Sequence, residues 1–223
     1  GALGFCTNEW IGKSIAGNTF DFTTEHGRAL AMSQEFSFAS ASVGAVEEGR
    51  INLADYDVID YILGRQLTAT ENLRPAKTFS TPIQSLLTTF TSNGGKIFVS
   101  GSHIGSDMKK PAEQDFLSNV LGVTYGGYVP SDSCETIIGL NLRLPLYNQP
   151  SDQHYSTGHP DILLPSNDKA FSAFAYTMGL SAGVAYQSET HRAITMGVPF
   201  ECITDANLRA SVMRSIIFYL IDN

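Results

Sequence analysis

The sequence is poor in cysteine and has no cysteine motif. Its three cysteines, Cys6, Cys134 and Cys202, are spread over 223 residues, and none of them forms a CxxC pair or another zinc-ligand spacing. An odd number excludes a fully paired disulfide framework but leaves room for one bridge. We expect all three to be packing residues, and we predict neither a metal site nor a cofactor.

Positive charge is also scarce. Lys and Arg total 14 against 22 Asp and Glu, which gives a formal net charge of -8 and an isoelectric point near 5.0. The only adjacent basic pair is Lys109-Lys110. Nucleic-acid backbones are bound mainly by clustered Lys and Arg, so a nucleic-acid partner is not expected. No apolar run approaches the roughly 18 to 20 residues of a membrane span.

The composition does supply a large core. Hydrophobic residues make up 43% of the chain and charged residues 16%, which is typical of a folded globular protein. Elaborated α/β sheets often reach this length as one unit, so we interpret residues 1–223 as a single domain.

Three short apolar runs predict strands that are buried in a parallel sheet. They are DVIDYIL, KIFVS and RAITMGV, at residues 57–63, 96–100 and 192–198. A further strand is predicted at 36–42, and helices are predicted over 17–34 and from Pro82, Pro111 and Asp205. Strand and helix alternation with right-handed crossovers predicts an α/β fold, with a flavodoxin-like, doubly wound parallel sheet and helices on both faces.

Residues 122–190 have a different texture. Short β-rich pieces there are interrupted by Gly, Pro, Asn and Asp, and an alternating run covers 136–144. We interpret this segment as an antiparallel insertion or extension beside the parallel sheet.

Polar residues follow the predicted strands at their carboxyl ends, where ligands bind in open parallel sheets. The rule selects residues in four separate segments as candidates: Ser40, Ser42, Arg65, Gln66, Ser100, Ser102, His103, Asp107 and Glu201.

The most informative segment is Gly101-Ser102-His103-Ile104-Gly105. Glycines two residues before and after a central residue are typical of a sharp elbow between strand and helix, where a hydrolase or amidotransferase carries its nucleophile. His103 at that tip would act as an acid, a base or a ligand-binding group. A simple glycine-relaxed turn is the alternative.

Several blocks of the sequence resemble a known family. GNTFDFTTEHGRAL, FSFASASVGAV, DYDVIDYILGRQ, NGGKIFVSGSHIGSDM, MGVPFECI and LRASVMRSIIFYL are similar to the class I glutamine amidotransferase-like domain of secreted, multidomain bacterial proteins. Those proteins are named xanthan lyases or golvesin-type proteins. The elbow block also resembles ThuA-like domains of the same superfamily.

This resemblance implies the fold and an exported protein, but not the amidotransferase reaction. The family's catalytic motif is Gly-x-Cys-x-Gly, whereas His103 is the central residue here, and the late His-x-Glu motif is replaced by Glu189 and His191 in reverse order. Glutaminase activity is therefore not expected. True xanthan lyases resemble helical toroids with β-sandwich domains, which this sequence does not. The name xanthan lyase therefore implies no reaction for this chain.

Three functions follow as hypotheses. The leading one is an amidotransferase-like domain without that activity, which recognises or processes polysaccharide or cell-envelope glycan; carbohydrate or neighbouring domains would be its partners. The second is a hydrolase or lyase in which His103 acts with Glu201 or Asp107, while Ser102, Arg65, Gln66 and Ser100 bind the ligand. The third is a structural module.

Other polar and aromatic residues have two interpretations each. His26 is expected to be a packing or surface residue. A metal site at His154, His159, Asp152 and Asp161 is less expected than a polar loop, because their spacing matches no ligand pattern. Tyrosines in the β-rich segment would suit stacking on sugar rings or simply occupy strands: Tyr125, Tyr128, Tyr147 and Tyr155.

Overall fold

A computed structural model describes residues 22–33, 36–68, 77–150 and 154–222 of the chain. The helices in these ranges are α1 (Phe22–Ser33), α2 (Val43–Glu47), α3 (Thr81–Ser92), α4 (Pro111–Phe116) and α5 (Ala206–Ile221). The strands are β1 (Val58–Gly64), β2 (Lys96–Gly101), β3 (Val123–Tyr128), β4 (Thr136–Gly139), β5 (Leu142–Pro145), β6 (Asp161–Pro165), β7 (Ala170–Tyr176), β8 (Ser181–Gln187) and β9 (Arg192–Met196).

The three apolar runs form the parallel part of one sheet, as predicted. β1 pairs with β2, and β2 pairs with β9, both in parallel register. Phe98 on β2 faces a core cluster that contains Val212 and Ile216 of α5. Its neighbours Ile97 and Val99 face the opposite cluster, which contains Ile83 and Leu87 of α3. Burial on both faces explains why these strands are apolar at successive positions rather than at alternate ones.

Beyond β9 the pairing changes from parallel to antiparallel, so the predicted α/β fold has a mixed seven-stranded sheet in which the predicted antiparallel extension continues the parallel part. The order is β1-β2-β9-β8-β7-β4-β5, and every pair from β9 to β5 is antiparallel. Short connections explain the change, because β7, β8 and β9 follow one another through tight turns and a parallel partner would need a long crossover. The predicted β-rich segment supplies β4, β5, β7 and β8 of this sheet, and it also supplies a separate antiparallel pair, β3 with β6.

One local prediction was wrong. Residues 36–42 form irregular chain rather than a strand, and Phe38 is 52% exposed. The Ser- and Ala-rich composition gives little strand preference, and the Ser42 side chain instead caps α2 by accepting a hydrogen bond from the Ala45 amide. The closing helix begins after Asp205, whose carboxylate accepts from the amides of Asn207 and Leu208.

The helix predicted over 17–34 is described only from Phe22 onwards, so residues 17–21 lie outside the described part of the chain. None of the described helices is long and apolar enough to cross a membrane.

Replacing Phe98 with Ala should destabilise the protein by about 3 to 5 kcal/mol, because a fully buried ring would leave a cavity at the centre of the sheet. Urea unfolding followed by circular dichroism measures this loss. Phe171→Ala is the matched control, since that ring is 53% exposed on β7 and should cost under about 1 kcal/mol. Equal losses in the two variants would contradict the assigned core.

Candidate functional site

Three parallel strands end on one side of the sheet, which we call the carboxyl edge. The segments that follow β1, β2 and β9 begin there, at residues 65, 102 and 197. The loop at 154–160 crosses the same region, because the Ser102 hydroxyl donates to the carbonyl oxygen of Thr157. The fold therefore brings four separate segments together at the carboxyl edge.

The elbow after β2 is tightly packed against its neighbours. A Cβ atom at Gly101 would lie 2.7 Å from Cβ of Leu63, and one at Gly105 would lie 2.9 Å from Cβ of Tyr125. The Ser102 amide donates to the carbonyl of Gly64 over 2.8 Å. Glycine is needed at both positions because the strand and the neighbouring sheet approach so closely.

His103 lies at the tip of this elbow and is half-buried. Its Nδ1 atom is 3.2 Å from the hydroxyl oxygen of Ser106. Burial and, after it, the Arg65 guanidinium lower the pKa of His103 to about 4. The imidazole is thus neutral near pH 7, where it can accept or donate a hydrogen bond but carries no charge.

Asp107 does not act as a free carboxylate beside His103. Its oxygens accept hydrogen bonds from the amides and hydroxyls of Thr68 and Thr78, at 2.9 to 3.3 Å, and the residue is 6% exposed. The predicted pairing with His103 is absent from the hydrogen bonds of the described residues. The carboxylate instead joins the chain after β1 to the segment before α3.

The other predicted binding residues differ in accessibility. Gln66 is buried, and its amide nitrogen donates to the carbonyl of Lys77 over 2.6 Å. Ser100 and Ser102 are fully buried, whereas Arg65 is exposed. Ser40 and Ser42 follow no strand, because 36–42 is irregular. Of the predicted residues, Arg65 and His103 are the two that reach the surface of the carboxyl edge.

Glu201 forms part of a buried cluster that the sequence interpretation did not foresee. His26 on α1 lies between two carboxylates, with Nδ1 2.7 Å from Oδ2 of Asp60 and Nε2 3.3 Å from Oε2 of Glu201. The Tyr155 hydroxyl donates to the other oxygen of Glu201. His26, Glu201 and Tyr155 are at most 6% exposed. The predicted partner of Glu201 was His103, but the described hydrogen bonds pair it with His26 and Tyr155.

The charge on this cluster follows from its geometry. Burial alone disfavours the imidazolium, but the Asp60 carboxylate and then Glu201 outweigh it and raise the pKa of His26 to about 9. A cation between two acids is therefore the stable form at neutral pH. The Tyr155 phenol stays protonated, because burial and the Glu201 charge raise its pKa well above the usual value.

One signal for this cluster was present in the sequence. Asp60 is the only carboxylate inside the apolar run VIDYIL, and a carboxylate at a buried strand position needs a partner. The partner His26 is 34 residues earlier in a helix whose apolar pattern is broken, so its identity did not follow from spacing.

Asp161, at the start of β6, holds the elbow from the opposite side. Its Oδ2 atom accepts from the amides of Gly105 and Ser106 at 2.6 and 3.0 Å. Burial raises the pKa of Asp161 to about 7, and the two amides only partly oppose this shift. The turn's own backbone donors are therefore used within the fold.

A small exposed surface remains around the elbow. Tyr125 and Tyr128 on β3 are 43% and 56% exposed, and the Tyr128 ring meets the His159 ring edge-on at 5.4 Å. On β6, Leu163 lies opposite Tyr125 and Asp161 lies opposite Tyr128. Because residues 161 and 163 are two apart, they lie on one face of β6, and the two tyrosines lie on that same face of the strand pair. We define the edge surface as Arg65, His103, Tyr125, Tyr128 and His159.

Neither of the described cysteines can serve as a thiolate nucleophile at this edge. Cys134 and Cys202 are free and buried. Burial raises the pKa of Cys134 to about 11 and that of Cys202 well above its usual value. Cys6 lies outside the described residues.

Comparisons with known proteins identify the fold. The sequence matches no protein-family model and no curated protein. A catalytic mutant of Gan42B, a GH42 beta-galactosidase from G. stearothermophilus, superposes with a TM-score of 0.60 and 11% identity over 93% of this chain and 27% of that chain. The beta-galactosidase from Rahnella sp. R3 gives a TM-score of 0.58 and 14% identity over 95% of this chain and 29% of that chain.

A smaller protein also matches. The cytoplasmic protein STM1381 from Salmonella typhimurium LT2 superposes with a TM-score of 0.53 and 14% identity, over 86% of each chain. The chain has the glutamine amidotransferase-like α/β fold. It spans less than a third of the length of the two beta-galactosidases, so a domain of this fold occurs within larger glycosidases as well as in a chain of similar size.

The charge of His26 should make stability depend on pH. Because the folded-state pKa of about 9 lies above the unfolded value of 6.5, the contribution is complete below pH 6.5 and is lost as pH rises through 9. The gap in unfolding free energy between the wild type and His26→Gln should shrink over this window, by up to about 3 kcal/mol.

Urea titrations at pH 6, 8 and 9.5 would measure this gap. His159→Gln provides the control, since that imidazole is exposed and its replacement should change the unfolding free energy by under about 0.5 kcal/mol. A gap for His26→Gln that stays constant with pH would show that His26 is neutral in the folded protein.

Proposed function

We propose that this chain is an amidotransferase-like module without glutaminase activity, which binds glycan as part of a larger exported bacterial protein. The observation that carries the proposal is the occupant of the elbow: an imidazole of lowered pKa lies where the amidotransferase reaction needs a thiolate. Export is inferred from the family that the sequence resembles.

The geometry of the carboxyl edge favours binding over catalysis. The Ser106 hydroxyl is within reach of His103 at 3.2 Å, but hydrolysis or elimination would also need a free carboxylate beside the imidazole, and Asp107 is held by Thr68 and Thr78. Glu201 is held by His26 and Tyr155. A neutral histidine without an acid partner is suited to hydrogen bonding with a hydroxyl group.

The exposed aromatic rings support a sugar as the ligand. Tyr125 and Tyr128 present ring faces next to polar groups, and such rings stack on the apolar faces of sugars while their hydroxyls remain hydrated. The matches to beta-galactosidases agree with a role beside carbohydrate chemistry. Tyr147 and Tyr155 are not part of this surface, because Tyr147 stacks on His154 and Tyr155 is buried.

Glutamine should not be hydrolysed by this protein, because the described thiols are buried and protonated and the elbow has no sulfur. Ammonia release from glutamine, measured by a coupled glutamate dehydrogenase assay, should not exceed the enzyme-free rate. Ammonia release that disappears in Cys6→Ser, Cys134→Ser or Cys202→Ser would contradict the assignment of the elbow.

Glycan binding should depend on the edge surface. In a screen of neutral and acidic oligosaccharides, followed by calorimetry on the hits, Tyr128→Ala should weaken binding about three- to tenfold through loss of one stacked ring. His103→Ala should also weaken it, with little change in thermal stability. Phe171→Ala is the matched control, because it removes an equally exposed ring from β7 and should leave binding unchanged.

Loss of binding in all three variants would point to unfolding rather than to a site. Absence of any glycan ligand at millimolar concentrations, together with a stability loss in His103→Ala, would favour the structural module instead.

A further inference from the structure

Arg65 is a cation without a carboxylate partner among the described residues. Among the described arginines, Arg209 is buried and is held by Glu25 and by the carbonyl of Ile203. Arg65 is exposed and forms none of the described ion pairs, although the chain carries eight more acidic than basic groups. Arg143 is also exposed without an ion pair, so the feature that distinguishes Arg65 is its place at the carboxyl edge.

The fold holds this side chain in a defined place. Gly158 has a φ of +69°, and a Cβ atom there would lie 2.7 Å from Nε and 3.0 Å from Cζ of Arg65. Glycine at 158 is therefore favoured by the backbone conformation, and the Arg65 guanidinium packs directly over it. The Thr157 carbonyl, one residue earlier, accepts from Ser102, which fixes this loop on the elbow.

The carboxylates nearest the carboxyl edge are already occupied. Asp161 accepts from two elbow amides, Asp107 from the two threonines, and Glu201 from His26 and Tyr155. None of them is paired with Arg65, even though all of them lie in segments that meet at this edge. These three acids are thus engaged within the described part of the fold, and the Arg65 guanidinium beside them remains exposed.

The neighbours of Arg65 complement an acidic sugar. The Arg65 guanidinium and the His159 imidazole both act electrostatically on the His103 ring, so both lie within electrostatic range of it. His159 follows Gly158 directly and contacts the Tyr128 ring. One surface thus presents three groups. The guanidinium can pair with a carboxylate, the neutral imidazole can bind a hydroxyl, and the tyrosine ring can stack on the face of a sugar.

We propose that Arg65 binds the carboxylate of an acidic sugar, so that the edge surface selects carboxylate-bearing glycans over neutral ones. This inference rests on the proposed glycan-binding function and names the class of ligand. A planar guanidinium pairs with a carboxylate through two parallel hydrogen bonds, which an ammonium group cannot reproduce.

The test compares two probes that differ only in charge: tetragalacturonic acid and its fully methyl-esterified form. Isothermal titration calorimetry with the wild-type chain should show about tenfold tighter binding of the acid, as expected for one charge-assisted pair. Arg65→Gln should reduce the affinity for the acid to that for the ester, and Arg65→Lys should restore part of it. Binding of the acid should weaken with added salt, while binding of the ester should not.

Arg143→Gln is the matched control, because Arg143 is exposed on β5 at the other end of the sheet order. It should leave both affinities unchanged. Thermal melts of Arg65→Gln should match the wild type, since the side chain is exposed.

Equal affinity for the two probes, with binding still dependent on Tyr128, would overturn the charge selection and leave the glycan-binding function standing. Equal losses for Arg65→Gln and Arg143→Gln would also overturn it. If neither probe binds while neutral glycans do, the acidic ligand class is wrong; if no glycan binds, the proposed function fails with it.

Discussion

The imidazolium of His26 is the interaction on which the rest of the carboxyl edge depends. It joins three segments that are far apart in the sequence, namely α1, β1 through Asp60 and the turn after β9 through Glu201. Removing one member of a buried charged group leaves the others without a partner, which costs more than the group contributes as a whole. A second ion pair, between Glu25 of α1 and Arg209 of α5, also holds α1 in place.

This arrangement explains why few of the polar residues at the carboxyl edge remain available for a ligand. Each acid that reaches the edge is bound by amides, hydroxyls or the imidazolium, so its charge serves the fold. What remains at the surface is a guanidinium, two imidazoles and two phenol rings. Among the described residues, this surface has donors and flat rings but no free acid, which suits recognition better than proton transfer.

The sequence was sufficient for the parts of the fold that depend on local pattern. The apolar runs around Phe98 and Ile194 predicted parallel strands because burial on both faces leaves a continuous hydrophobic signal. The antiparallel half was foreseen only as a β-rich segment, since the pairing of β7 with β4 skips two strands of the chain. Among the residues of the edge surface, Arg65 and His103 were predicted as candidates from their positions after strands. The His26 cluster was not, because long-range pairing of ionisable groups leaves no periodic trace in one sequence.

The amides of Gly105 and Ser106 have a further consequence. An enzyme that cleaves amides needs backbone donors at its elbow that are free to stabilise an oxyanion as the tetrahedral intermediate forms. Here the Asp161 carboxylate already occupies both amides, and it is fully buried. With a thiol back at position 103, these two amides would still be engaged by Asp161 and would not be free to stabilise an oxyanion. The elbow thus departs from the Gly-x-Cys-x-Gly motif at position 103, and two of its backbone donors already serve the fold.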